Sequence, residues 1–503
     1  MELTDLEKYF EQFRKNIVGI DGTFSSPYGD KKIVYADWIA SGRLYSTIED
    51  KLKNEIGILV GNTHSEASET GNAMTLAYHF AQKIIKKHVN ANIDDVLMMT
   101  GTGMTGAITK LHRILGIKLP DNTKSFCKLS ENLKYNCLDL INIDEKPVVF
   151  LTHIEHHSNH TSWLETIADV VMLTPDENLL VDPNNLRENL EKYKNRKIKI
   201  GSFSGCSNVT GYIPPYHELA KIMHEYNGIC FIDFAASAPY MNINMHPENK
   251  MEALDGIFFS PHKFLGGPGS SGVLIFNKNL YHNSVPDQPG GGTVKWTNRW
   301  GQYSYISDIE TREDGGTPGF LQTIRAALSI NLKEQMGVEN IHNREKELID
   351  IAFTELKKIK SLKILAENID KRLGVFSFYI VNIHHNLVVK LLNDRFGIQM
   401  RGGCSCAGTY GHFLLDVDIN VSKEITDKID HEDLSLKPGW IRLSLHPTMT
   451  NAELYFIIDA IKQVSENIKV WEKDYEYSKH TNEFYHKTFP KKEMKDYEKW
   501  FDL

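Results

Sequence analysis

Leu254-Asp255-Gly256-Ile257-Phe258-Phe259-Ser260-Pro261-His262-Lys263-Phe264-Leu265-Gly266-Gly267-Pro268 passes from an apolar run, through a Ser-Pro-His-Lys step, into glycines. The apolar half predicts a buried strand, and the glycines cannot continue it. Lys263 therefore stands just past a strand's end, where a side chain can face a pocket. A lone lysine in that position would be read as a surface residue beside a loop. Upstream, Ile229-Cys230-Phe231-Ile232-Asp233 is a second short apolar run that ends in an acid, followed by Phe234-Ala235-Ala236-Ser237-Ala238-Pro239. Two strand ends thus carry an amine and a carboxylate.

Working outward, short apolar runs alternate with helical patterns from about residue 95 to residue 276: Val96–Thr100, Val148–His153, Ile198–Ser204, Ile229–Asp233, Ile257–Ser260 and Val273–Phe276. Strands interleaved with helices imply an α/β domain with a largely parallel sheet, whose ligand crevice lies beyond the carboxyl ends of the strands. After Gly315-Gly316-Thr317-Pro318-Gly319, a helical stretch from Leu321 to about Gln335 leads to a smaller domain. That domain is expected to hold Val375–Ile383, a helix near Asn386–Phe396, Trp440–Leu445 and a helix from Asn451 to about Val464. The expected organisation is an N-terminal helical segment over 1–30, a large domain over 31–320, a small C-terminal domain over 321–466 and an extension over 467–503. Beyond Asn467 the chain is rich in Lys, Glu, Tyr and Trp without an evident strand pattern, and reads as an appended helix or a partly ordered arm.

A chain of 503 residues with 41% hydrophobic content can fill two or three cores. Its net charge of −8 gives no general attraction to nucleic acid or to an anionic membrane, so small-molecule chemistry is expected. The first residues, Met1-Glu2-Leu3-Thr4-Asp5-Leu6-Glu7-Lys8, lack the basic and apolar blocks of a signal peptide, and no stretch reaches membrane-spanning length. Six cysteines are too few for a disulfide framework. A cytoplasmic protein is the expectation.

Three further segments carry chemistry. Val96-Leu97-Met98-Met99-Thr100-Gly101-Thr102-Gly103-Met104-Thr105-Gly106 reads as a strand, a glycine turn and a helix start, whose N–H groups and Thr hydroxyls can bind phosphate. Leu151-Thr152-His153-Ile154-Glu155-His156-His157-Ser158-Asn159 runs a strand into a histidine cluster: an imidazole to stack on a planar ring, a zinc site or a solvated loop. Ser202-Phe203-Ser204-Gly205-Cys206-Ser207-Asn208 ends another strand, and Asn208 is a hydrogen-bond donor to a ligand or simply a turn residue. Taken with Lys263 and Asp233, these segments suit pyridoxal 5'-phosphate, which needs an amine for a Schiff base and a carboxylate to keep the pyridine nitrogen protonated.

The ordered set resembles the class V aminotransferase group of fold-type I pyridoxal phosphate enzymes, and within it the cysteine desulfurase and selenocysteine lyase family. The matching residues are Tyr35-Ala36-Asp37 with Ala40, His64, Glu155-His156-His157-Ser158-Asn159, Ser207-Asn208-Val209-Thr210-Gly211, Asp233-Phe234-Ala235-Ala236, Ser260-Pro261-His262-Lys263, Gly290-Gly291-Gly292, Gly316-Thr317-Pro318, Cys406-Ala407 and Arg442-Leu443-Ser444-Leu445. The resemblance spans roughly residues 30 to 465. It implies a large domain with a mainly parallel seven-stranded sheet and a smaller α+β C-terminal domain.

The same resemblance implies roles. Lys263 is the Schiff-base lysine and proton shuttle, Asp233 pairs the pyridinium and His156 stacks on the ring. Gly103, Met104, Thr105, Ser260 and His262 hold the phosphate, and Thr317 reaches the phosphate in a partner subunit, which implies a homodimer. Arg442 clamps the substrate carboxylate, with Asn208, His64 and Ala40 beside the substrate. Cys406 is the nucleophile that takes sulfur from L-cysteine as a persulfide, leaving alanine, and a sulfur-acceptor protein is a possible partner. No metal is implied. His412, Arg401 or the substrate itself is left to activate the thiol. Two departures stand out. Ala236 replaces a glutamine usual three positions after the aspartate, and Cys404-Ser405 replaces paired histidines often found before the nucleophile. They leave two alternatives open: another class V reaction on an amino acid, such as transamination, epimerisation or side-chain lysis, and a partner-binding protein that retains the cofactor without turnover.

Overall fold

The computed structural model describes residues 3–63, 65–126 and 142–503. Seven strands form its main sheet: β1 (Asp95–Thr100), β2 (Val148–Leu151), β3 (Asp169–Met172), β4 (Lys199–Ser204), β5 (Ile229–Asp233), β6 (Gly256–Phe259) and β7 (Gly272–Asn277). Their order across the sheet is β1-β7-β6-β5-β4-β2-β3, with β7 antiparallel to both neighbours and every other pair parallel. This is the mainly parallel seven-stranded sheet expected.

The central strands read as continuous apolar runs because both faces are covered. Ile232, Ile257, Phe259, Val273 and Ile275 pack into one core, while Phe231, Phe258, Leu274 and Phe276 pack into another on the opposite face. At about 1.5–3 kcal/mol for each fully buried large side chain, these alternating residues anchor β5 and β6 firmly. Their register, Asp233 opposite Phe258, releases both strands at one edge of the sheet. Only there can Asp233 and Lys263 meet.

β3 is absent from the strands expected from sequence. It is a short, half-buried strand at the sheet's edge, although its run Val170-Val171-Met172-Leu173 is an apolar signal that could have marked it. The remaining strands sit within about two residues of their expected limits.

A second, antiparallel sheet is built from β8 (Leu362–Ile364), β9 (Val375–Ile380), β10 (Arg401–Gly403) and β11 (Trp440–Ser444), in the order β8-β9-β11-β10. Helices Phe320–Met336, Val338–Leu356, His385–Phe396 and Asn451–Trp471 accompany it. The last continues past the expected Val464 because Ile468 still packs into the core. Asp37 bridges to Ser444, so the N-terminal strand segment lies alongside β11. The tail departs in part from the reading of an appended helix or arm, for it holds a hairpin as well as a 3-10 helix over Met494–Phe501. Tyr475–Ser478 pairs with Glu483–His486 as a hairpin whose turn uses Asn482 at φ +57°. Its Tyr475 hydroxyl donates to Asp394 at 2.9 Å. Alternating aromatics at Tyr475 and Tyr477 are the strand signal, masked by the surrounding charges.

Candidate active site

At the carboxyl edge of the main sheet lies a cavity of about 200 Å3, lined by Ala40, Met104, Thr105, His156, Asn208, Asp233, Ser260, His262, Lys263 and Arg442 among others. Ten of the residues expected to share a site therefore do share one. Gly103 adjoins it, since a Cβ there would fall 2.9 Å from Ser260 Oγ and 3.0 Å from His262 Cε1.

One end of the cavity is built by β1 and the helix Gly103–Ile114 that follows. Gly103 has φ +60°, a left-handed conformation that glycine adopts freely at the start of the helix. The Met104 N–H reaches Ser260 Oγ at 2.8 Å, and the Thr105 and Ser158 hydroxyls lie 2.7 Å apart. The start of β7 is pressed against this cradle: a Cβ on Gly272 would sit 2.0 Å from the Gly103 carbonyl oxygen.

The carboxylate and the amine lie at the other end. Asp233 is buried and accepts from the Ala235 N–H at 2.8 Å. Burial raises its pKa to about 6, opposed by that hydrogen bond and by the Lys263 charge. Burial lowers Lys263 to about 8; Asp233 opposes the fall, while Arg442 and Arg401 add to it. Among the described residues the Lys263 ammonium finds no hydrogen-bond partner, which leaves it directed at the cavity. His156 caps the helix His157–Leu164 by accepting from the Ser158 N–H at 3.1 Å. Burial first, then the Lys263 charge, lowers it to about 3, so the ring is neutral and fit for stacking.

Arg442 on β11 donates to Asp37 Oδ1 at 2.7 Å and to the Asn208 carbonyl at 3.2 Å, leaving its buried Nε without a partner. Asp37 also lies 3.3 Å from Arg401 Nε. Asp37, with Ser204, Cys206 and Ser158 in the wall, carries no role from sequence, and its pairing with Arg442 and Arg401 is not foreseen there. Only the quoted Tyr35-Ala36-Asp37 motif hinted at the first. Cys206 is fully buried, and burial raises its thiol pKa, so it is a small apolar wall residue.

A bound pyridoxal phosphate fits these donors. The Lys263 amine, a carboxylate at the end of the neighbouring strand, a neutral imidazole, an amide and hydroxyl cradle and a guanidinium with its Nε unpaired match its Schiff-base, pyridinium, stacking, phosphate and substrate-carboxylate needs. Ala236 lines the wall where the glutamine is missing, and Asn208 faces the cavity.

Three expected residues stand apart. Thr317 faces a separate cavity with Gly101 and Lys110, and lies 3.3 Å from Asn62 Oδ1. His64 lies outside the described residues. Cys406 is exposed and outside the lining, although its neighbour Ser405 is part of the wall. The loop around Cys406 is tightly tied. The His157 N–H donates to the Cys406 carbonyl at 2.8 Å, the Gly408 N–H donates to His157 Nε2 at 2.9 Å, and Asn208 Nδ2 donates to the Ser405 carbonyl at 2.8 Å. His412 engages both ring nitrogens elsewhere, with the Gly408 carbonyl and the Ser422 hydroxyl, so it is not a free base for the thiol.

Comparison with known proteins agrees with this architecture. The family model described as Aminotransferase class-V matches residues 123–456. Probable cysteine desulfurases are similar: one from Staphylococcus epidermidis is 27% identical over 386 residues, covering 75% of this chain and 84% of that protein. Another, from Staphylococcus aureus, is 26% identical over 383 residues with the same coverage. Among solved structures, a cysteine desulfurase from Thermococcus onnurineus superposes with a TM-score of 0.71 at 20% identity, covering 93% of this chain and 99% of that one. A cysteine desulfurase from Escherichia coli gives a TM-score of 0.67 at 20% identity, covering 91% and 98%.

Proposed function

The chain belongs to the class-V aminotransferase family, and on that premise we propose that it is a pyridoxal phosphate-dependent cysteine desulfurase, converting L-cysteine to L-alanine with the sulfur taken up on Cys406. The observation that carries this reading is the convergence of Lys263, Asp233, His156 and Arg442 on one cavity, with the Cys406 loop tied to its rim. The curated relatives named above support the same activity.

Bound pyridoxal phosphate supplies an electron sink for the substrate's α-carbon. The residues do the rest. Arg442 holds the substrate carboxylate through a fork that Asp37 has already oriented. Asp233 keeps the pyridine nitrogen protonated, and its buried setting strengthens that pairing. The Lys263 amine is neutral in a substantial fraction near pH 8, so it can take the α-proton and return it to the β-carbon side of the substrate. Cys406 Sγ attacks the substrate sulfur as a thiolate; an S–S bond forms, the S–Cβ bond breaks, and a proton completes alanine.

Several finer points belong to the same reading. Gly103, Met104, Thr105, Ser260 and His262 hold the phosphate, and Ala40, Asn208 and His64 border the substrate. Thr317, away from this cavity in one subunit, serves the phosphate of a second subunit in a homodimer. The protein works in the cytoplasm, and a sulfur-acceptor protein relieves the persulfide. Among the described residues no helix is long and apolar enough to cross a membrane. The large and small domains divide near residue 320.

The exposed position of Cys406, outside the cavity lining, favours one second reading: a class V reaction on another amino acid, with Cys406 incidental. The test is incubation of the holoprotein with L-cysteine while the visible band, alanine and sulfide are followed. A shifted band with both products supports the desulfurase. A shifted band without sulfur transfer supports the second reading.

A further inference from the structure

Cys404 and Cys406 stand at the first and third positions of one tight turn. The Ala407 N–H donates to the Cys404 carbonyl at 3.0 Å, and the two central residues, Ser405 and Cys406, have φ of +52° and +56°. Two successive left-handed residues without a glycine cost roughly 1–3 kcal/mol each. Surrounding contacts impose the conformation: Trp440 Nε1 donates to Ser405 Oγ at 3.2 Å, Asn208 to the Ser405 carbonyl, and His157 to the Cys406 carbonyl. Both thiols are free, Cys406 exposed and Cys404 half-buried against the apolar cluster that holds Trp440 and Tyr410.

A turn folded in this way holds its first and third Cα atoms within the span of roughly 4.4–6.8 Å over which disulfides close. Cys404 is thereby the thiol nearest in the chain to any sulfur carried by Cys406, and it is shielded on one side from bulk solvent. Nothing in the single-chain reaction above uses it.

We propose that Cys404 is a resolving thiol for Cys406. The step rests on the desulfurase reading. The Cys404 thiolate attacks Cys406 Sγ of the persulfide; a Cys404–Cys406 disulfide forms, the bond to the outer sulfur breaks, and that sulfur leaves with the electron pair as hydrosulfide. The sulfane sulfur delivered by the substrate is the oxidant, reduced to sulfide as the two thiols are oxidised. A dithiol reductant then restores the loop. The protein is thus built to release sulfide in a thiol-dependent cycle as well as to hand over a persulfide.

One equivalent of L-cysteine per holoprotein protomer, without added reductant, followed by acid quench, tests this. Alanine, sulfide and the intact protein mass are read together. The wild-type protein is expected to free one sulfide per alanine and to lose the mass of two hydrogens. Cys404→Ser is expected to free almost none, and to gain the mass of one sulfur for each alanine formed. An unchanged visible spectrum shows that this variant is folded. A wild-type protein that makes alanine yet keeps the added sulfur would overturn the proposal, as would equal sulfide release from Cys404→Ser. If wild type forms no alanine, the desulfurase reading fails and this step with it.

Discussion

Asp37 accepts from Arg442 at 2.7 Å across a separation of 405 residues, so the guanidinium proposed to hold a substrate carboxylate is already engaged by a carboxylate of the chain. Arg442 is buried, and Asp37 is its charged partner on β11's flank. Removing one partner of such a pair leaves the other charge uncompensated. Asp37→Ala is therefore expected to lower unfolding stability by about 3 kcal/mol, with Asp37→Asn losing less because it keeps a hydrogen-bond acceptor. Chemical denaturation measures both; an Asp37→Ala protein as stable as wild type would refute the pairing.

The fork of Arg442 matters more than its charge. Arg442→Lys keeps a cation on β11 but cannot bind a carboxylate bidentately while also holding Asp37. Loss of one charge-assisted hydrogen bond, about 1.5–3 kcal/mol, predicts a rise in KM for L-cysteine of roughly 10- to 100-fold with the cofactor band retained. An unchanged KM would move the carboxylate site elsewhere.

Lys263 sets a pH limit on cofactor capture. Its amine titrates near pH 8, lowered by burial against the opposing charge of Asp233. Below that pH it is protonated and cannot attack a carbonyl; above it the neutral form dominates. Band growth after mixing apoprotein with pyridoxal phosphate should therefore accelerate as pH rises through about 8. Asp233→Asn removes the charge that holds the amine's affinity for protons up, so its midpoint should move lower. Lys263→Ala should give no covalent band at any pH. A capture rate flat across this interval contradicts the assignment.

Behind the site, Lys333 is buried, donates to the Ala238 carbonyl at 2.7 Å and lies 5.8 Å from the ring of Phe264, the residue after Lys263. Burial lowers it from 10.5 to about 7. Between these values the unfolded chain binds the extra proton, so the contribution to stability is complete above about 10.5 and is lost as pH falls through about 7. Lys333→Met should make the stability–pH curve shallower over that interval by about 1.4 kcal/mol per pH unit. Identical slopes for variant and wild type would show that the amine stays charged in the fold.

The parts of the fold legible in the sequence are those buried on both sides. β5 and β6 announce themselves because Ile229–Asp233 and Gly256–Phe259 have no solvent face to interrupt their apolar runs. The tail hairpin does not, since its half-buried strands carry mixed residues; β3 offers only the short edge run Val170-Val171-Met172. Among site residues, Lys263, Asp233 and His156 follow strand ends and so are visible from local pattern. The role of Asp37 is not, because it depends on Arg442 arriving from the far end of the chain. Nor is the turn at Cys406, whose left-handed Ser405 and Cys406 are imposed by His157, Asn208 and Trp440 in place of any glycine of their own.

The central claim is that one cavity activates the amino acid while Cys406 takes its sulfur, and the two halves separate in a single variant. Cys406→Ala holoprotein should still shift its visible band on addition of L-cysteine, because Lys263, Asp233 and Arg442 are untouched, yet its sulfide release should fall by at least about 100-fold. A band shift accompanied by sulfide release at the wild-type rate would contradict the account.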